Sequence, residues 1–234
     1  MKLLTFMKDR RQALGIKTDQ GIIDVGAVLK AGTQTNLPND VMEVIRDGDE
    51  ALKSLSDLAS EVLASGEKTA ILDEEGLTFG PCVSHPGKII CVGLNYKKHA
   101  DETNSPYPKT PILFNKFNNA LAAHGQEVAV PNATDKLDYE AELTIVIGKR
   151  AKNVSKEQAL DYVFGYCNAN DLSARDLQMR TPQWLLGKTC DDFAPIGPYL
   201  VTADEVGNPN DLQITTELNG EIRQNSNTAD MIFH

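Results

Sequence analysis

Residues 138–148 read Asp-Tyr-Glu-Ala-Glu-Leu-Thr-Ile-Val-Ile-Gly, and this stretch restricts the fold more than any other. Its second half is β-branched and apolar, the pattern of a strand set against a core. Side chains two apart on a strand point to one face, so Glu140 and Glu142 are held side by side at the mouth of that strand. Like charges placed so close repel unless something positive lies between them, and a divalent cation with oxygen ligands meets that need. Asp171, in Asn170-Asp171-Leu172-Ser173-Ala174-Arg175-Asp176, is a candidate third ligand. Paired surface carboxylates are more often merely solvated, so the neighbouring motifs decide between the two readings.

The 234 residues suffice for one substantial core and a small additional domain. A net charge of -10 argues against a broad electrostatic footprint for nucleic acid or an anionic membrane. No apolar run approaches a membrane span, and Met1–Phe6 is too short and interrupted for a signal peptide; a cytoplasmic location is the expectation. Cys82, Cys91, Cys167 and Cys190 lack Cys-x-x-Cys spacing and read as incidental thiols of a reducing compartment, with no zinc pattern.

The chain divides near residue 78. Residues 1–78 read as a small α/β module. It has strands at Lys2–Lys8, Ala13–Lys17 and Gly21–Val25, a helix opened by Pro38-Asn39-Asp40 with Asp40 as N-cap, and a second helix from Asp49 to Leu63 that stops at Gly66. Residues 79–234 are mainly strands and loops. Strands are expected at Lys88–Gly93, Pro111–Lys116, Glu127–Val130, Phe164–Asp171 and Gly197–Val201, with a hairpin over Leu212–Arg223 turning at Asn219-Gly220. Ser155-Lys156-Glu157-Gln158 is a capping-box pattern for a helix through Val163. Asn227 or Thr228 caps what looks like another helix start.

Gly93-Leu94-Asn95-Tyr96-Lys97-Lys98-His99-Ala100-Asp101-Glu102 follows the first of these strands. On a helical turn His99 and Glu102 share a face within hydrogen-bonding reach. A carboxylate beside an imidazole raises its basicity and fixes its tautomer, which suits a general base. A surface pair is the plainer reading of these two residues alone.

Taken together, G-x-N-Y-x-x-H-A-x-E, D-Y-E-x-E-L-x-x-V-I-G, N-D-x-S-A-R-D and W-x-x-G-K stand in the order and spacing of the fumarylacetoacetate hydrolase family. The chain resembles that family from about Lys88 to Phe233, and more loosely before it, where residues 1–78 look like the small variable domain of bacterial members. The resemblance implies an α+β, mainly β fold: a mixed β-sandwich roll, incomplete at its C-terminus, behind the small N-terminal domain. It implies Mg²⁺ or Mn²⁺ on Glu140, Glu142 and Asp171, with room for waters or a chelating oxoacid. His99 and Glu102 would be a water-activating base and its partner on a lid. Lys188 would take part in the chemistry, and Lys116, Arg175 and Gln178 would line the substrate pocket; an ion pair with Asp176 is the plainer alternative for Arg175.

The family chemistry concerns 2-oxoacids bearing a second carbonyl or carboxylate, where a metal stabilises an enolate. Hydrolysis of an acylpyruvate-type C–C bond is the leading expectation. Oxaloacetate decarboxylation or tautomerisation and hydroxymuconate-type isomerisation would use the same site. Members of the family continue past Met-Ile-Phe with further strands, so an inactive truncated remnant is the expectation of a different class. Homodimers are common in the family, and a small oxoacid, neither nucleic acid nor membrane, is the expected partner.

Overall fold

The computed structural model describes residues 1–30, 37–66 and 68–234. Short runs buried on both faces make strands β1 (Lys2–Lys8), β2 (Arg11–Thr18) and β3 (Gly21–Asp24), a meander that leads into a short helix, α1 (Val25–Lys30). Asp40 accepts a hydrogen bond from the Glu43 amide and so caps α2 (Val41–Asp47). Helix α3 (Asp49–Ser65) buries Ala51, Leu55, Leu58 and Val62, one stripe at helical spacing, and ends where Gly66 turns left-handed at φ 70°. Strand β4 (Ile71–Leu72) then pairs with β3.

A separate two-stranded ladder follows, β5 (Ile89–Gly93) with β6 (Ile112–Lys116), and the helix α4 (Lys97–Glu102) lies between its strands in sequence. Next come β7 (Leu121–Ala123), β8 (Leu137–Asp138), β9 (Ala141–Ile147) and β10 (Val163–Asn170). Strand β11 (Ser173–Ala174) pairs with β8 and runs into α5 (Arg175–Gln178), followed by α6 (Leu185–Lys188). The chain continues through β12 (Ala194–Ile196), β13 (Leu200–Thr202), α7 (Ala203–Val206) and the hairpin β14 (Gln213–Leu218)–β15 (Glu221–Asn227).

Among the described residues nine strands join in one sheet, ordered β4-β3-β2-β1-β13-β10-β12-β7, with β9 on the other side of β10. Residues 1–78, expected as a small module, share this sheet with the rest through Lys2↔Val201 and Leu3↔Leu200. They also share a core. Leu3, Leu14, Ile16 and Ile23 pack in one cluster with α2 and α3 and with Val146, Phe164, Cys167 and Leu200. The fold is α+β and mainly β, as the motifs implied.

Two local expectations fail. Glu127–Val130 forms no strand; the edge of β12 is taken instead by Leu121–Ala123, in parallel register, and Val130 stays exposed. The capping-box segment becomes a 3-10 turn over Lys156–Tyr162 without a side-chain cap. None of its residues is buried, so no apolar stripe rewards a full α-helix.

Strands β10 and β13 approach closely at Gly165. A Cβ on Gly165 would stand 2.2 Å from the Val201 carbonyl oxygen and 3.0 Å from its carbon, both backbone atoms that cannot yield cheaply. Gly165→Ala is expected to lower stability by about 2 kcal/mol or more, whereas Gly87→Ala, whose Cβ meets nothing within 4 Å, should change it by less than about 0.5 kcal/mol. Urea unfolding of the two variants beside the wild type checks the difference.

Candidate active site

The register of β9 and β10 brings the acidic motifs together. Asp171, just beyond β10, donates its amide to the Glu140 carbonyl at 2.8 Å, and the Glu140 amide donates to Asn170 Oδ1 at 3.1 Å. Glu142 lies opposite Ala169 in the same ladder. The carboxylates of Glu140 and Asp171 are thus neighbours because the backbone makes them so.

Three cations converge on them. Lys188 Nζ lies 2.6 Å from Glu140 Oε2 and 2.8 Å from Asp171 Oδ2, and stands 5.0 Å above the Phe114 ring. Gly187 makes that reach possible: a Cβ there would come within 2.5 Å of the Ala174 oxygen and the Gln178 nitrogen, so only glycine lets α6 seat against α5. Arg175 spans Glu140 Oε1 (2.8 Å) and Asp138 Oδ2 (2.7 Å), and Nη1 donates to Gln178 Oε1 at 3.0 Å. It does not pair with Asp176, which accepts from Thr134 Oγ1 and the Leu177 amide instead. Lys116 is 3% exposed. It donates to the carbonyls of Leu172, Lys188 and Phe193 and lies 2.7 Å from Asp171 Oδ1. With its donors spent in this way it faces protein on every side.

The electrostatic balance among the acids is uneven. Burial pushes Glu140 up, but Lys188 and Arg175 outweigh it and hold that carboxyl at about 2. Burial also raises Asp171, despite Lys116 and Lys188. Glu142 has no cation partner among the described residues; burial, then Glu140 and Asp171, push it up to about 8. Asp171 Oδ1, although close to Lys116, has no hydrogen-bond donor aligned on it.

Among the described residues no three His, Cys, Asp or Glu side chains converge as a preformed metal-holding group, and the Lys188 ammonium stands between two of the expected ligands. The donor set nonetheless fits a hard divalent ion: all its atoms are carboxylate oxygens, one acid lacks a counter-charge and one buried oxygen lacks a donor.

His99 and Glu102 lie apart from this network. Both are exposed on α4 and no hydrogen bond joins them. The expected contact is absent because a six-residue helix with only Ala100 buried presents both side chains to solvent. Three groups at the site carry no role in the sequence reading. Asp138 shares Arg175, a pairing set by Ser173↔Asp138 in the β8–β11 ladder. The Tyr96 phenol is pushed up to about 12 by burial and by Glu142 and Asp230. The Cys91 thiol is likewise raised to about 12 by burial and by Asp171. Asp138 and Tyr96 belong to the family's D-Y-E-x-E and G-x-N-Y motifs; only spatial proximity distinguishes them from their neighbours.

The profile described as "Fumarylacetoacetate (FAA) hydrolase C-terminal" matches residues 88–234. The chain belongs to the fumarylacetoacetate hydrolase family. It is 39% identical over 239 residues to oxaloacetate tautomerase fahd2, mitochondrial, of Xenopus laevis, covering 100% of this chain and 72% of that protein. Its structure resembles the fumarylacetoacetate hydrolase from psychrophilic Exiguobacterium antarcticum, with a TM-score of 0.77 at 31% identity, over 99% of this chain and 76% of the other. It also resembles maleylpyruvate hydrolase from Sphingobium sp. SYK-6, solved in complex with manganese (II) ion and pyruvate: TM-score 0.76, 28% identity, 99% and 78% covered. No described helix is long and apolar enough to cross a membrane.

A carboxyl raised to about 8 in the fold, against an ordinary value near 4.3 when unfolded, binds its proton more tightly in the native state. Its contribution to stability is therefore present below about pH 4 and lost as pH rises to about 8. In chelator, the melting temperature is expected to fall across that window, and Glu142→Gln should flatten the fall. Thermal unfolding of both proteins from pH 5 to pH 8.5 measures it.

Proposed function

We propose that this chain is a divalent-metal-dependent enzyme of small 2-oxo diacids that interconverts the keto and enol forms of oxaloacetate. The observation that carries the reading is the buried acid–lysine–arginine cluster, in a chain 39% identical along its whole length to a protein named oxaloacetate tautomerase. Charge supports the metal requirement. Asp138, Glu140 and Asp171 are matched by Lys116, Lys188 and Arg175, so once Glu142 gives up its proton the cluster is negative and repels a dianion. A divalent ion reverses the sign.

Glu140, Glu142 and Asp171 would hold Mg²⁺ or Mn²⁺, which when bound polarises the 2-oxo group as a Lewis acid. Tautomerisation breaks no C–C bond: a proton leaves C3 while another arrives at the 2-oxygen, or the reverse. His99, with Glu102 orienting its ring, is the base for C3, which requires α4 to fold over the site, since both side chains are exposed here. Lys188 hydrogen-bonds the developing enolate oxygen, and Arg175 with Gln178 orients the far carboxylate. Lys116 is assigned a supporting role. Its ammonium fixes Asp171 and three backbone carbonyls rather than meeting substrate.

Hydrolysis, which led the sequence reading, is the second reading. The resemblance to a maleylpyruvate hydrolase solved with manganese and pyruvate supports it. It would use His99 to take a proton from water rather than from carbon.

The decisive experiment follows enol-oxaloacetate by ultraviolet absorbance, with Mg²⁺, with Mn²⁺ and with chelator, beside a pyruvate-release assay on acylpyruvates. Metal-dependent acceleration of enol decay without pyruvate release is expected. Pyruvate release alone would install the hydrolase reading, and no metal response in either assay would refute both. Glu142→Ala should lose the metal-dependent rate by about 100-fold or more; unchanged kinetics would remove Glu142 from the ligand set.

A further inference from the structure

Helix α4 carries His99 and Glu102 but has little holding it. It spans six residues, buries only Ala100, and its N-cap residue, Tyr96, offers no side-chain cap. Its flanks are unusual: Leu94 and Asn104 both adopt left-handed backbone, each at φ 51°. For a leucine that conformation is costly and persists only where surrounding contacts enforce it.

Those contacts come from the other end of the chain. Asp230 Oδ2 accepts from the Lys98 amide at 3.0 Å, the N-cap bond that α4 lacks from its own sequence. Tyr96 forms a β-bridge with Met231, and the Ile232 amide donates to the Asn95 carbonyl at 2.7 Å. The Asn95 side chain extends this pairing: its Oδ1 accepts from the Phe233 amide at 2.8 Å, and its Nδ2 donates to the Phe233 carbonyl at 3.1 Å. One amide side chain thus does the work of a strand residue's backbone. The gripping segment is itself anchored, since Thr228 is 1% exposed and its hydroxyl donates to the Pro209 carbonyl and accepts from the Leu212 amide.

We infer that Asp230 and Asn95 are positioning residues that fix the N-terminal end of α4, so that residues 230–233 set the pivot from which His99 and Glu102 reach the acidic cluster. The inference rests on the proposed reading that α4 bears the base. Neither residue touches the acidic network, so metal binding should not depend on them.

The test is hydrogen exchange of residues 96–103 in Asp230→Ala, Asp230→Asn and Asn95→Ala, with the β14–β15 hairpin as internal reference, beside enol-oxaloacetate turnover and Mg²⁺-dependent thermal shift. Losing a cap of ordinary strength should speed exchange of α4 by about fivefold. In Asp230→Ala, kcat should fall severalfold with KM and the Mg²⁺ shift unchanged. Asp230→Asn, which keeps an acceptor oxygen, should restore both exchange and kcat. Unchanged α4 exchange in both alanine variants would overturn the mount. Faster exchange with undiminished kcat would overturn its role in placing the base. If the wild type turns over neither substrate, the proposed activity falls while the exchange result still decides the mount.

Discussion

The arrangement depends on two carboxylates that the backbone forces together. Glu140 and Asp171 are joined by a main-chain hydrogen bond at the end of the β9–β10 ladder, so their proximity follows from strand register. Left alone, two buried acids could not both ionise. Lys188 between them, Arg175 beside Glu140 and Lys116 behind Asp171 make the pairing tolerable. Removing one partner of such a cluster strands a buried charge, at a cost of about 3–5 kcal/mol. The elements that carry the cations, β6, α5 and α6, are therefore bound to β9 and β10 by electrostatics as well as by packing. Among the described residues Glu142 has no cation partner, and burial beside Glu140 and Asp171 raises its carboxyl.

The site has a rigid back and a lightly held front. Lys116 acts as a bolt at the back, joining the carbonyl of Leu172 to those of Lys188 and Phe193 on a second stretch of chain. Behind it stands the nine-stranded sheet, continuous from the N-terminal meander to β7 and sharing one core with α2 and α3. The front, in the proposed reading, is α4, a helix with one buried residue, gripped by Asn95, Asp230 and the backbone of residues 231–233. Few buried contacts at the front and many at the back are what a site needs if it is to keep its charged groups fixed while admitting a ligand.

Much of this was legible in the residues. Strand β1 follows from its short apolar run and the α2 cap at Asp40 from capping chemistry, and the stop at Gly66 and the Asn219-Gly220 hairpin from the need for positive φ. All of these signals lie within a few residues of their effect. The strand expected at Glu127–Val130 and the helix expected after Ser155 do not form because local propensity lacks a tertiary partner: another segment holds the sheet edge, and no core faces the helix. At the site, the motifs named the acidic and basic residues but not their pairings. Nothing local distinguishes an Arg175 that meets Asp176 from one that meets Asp138 and Glu140.

By itself, then, the sequence determined the family, the α+β class and the inventory of charged groups, because each is written in short-range spacing and residue chemistry. The tertiary structure decided how those charges are shared. It turned Lys116 inward, set Lys188 between Glu140 and Asp171, left Glu142 without a cation partner among the described residues, and tied the His99 helix to a segment more than a hundred residues away. Those outcomes depend on burial and on distances between segments far apart in the chain, and both exist only once the sheet has closed and water has been excluded.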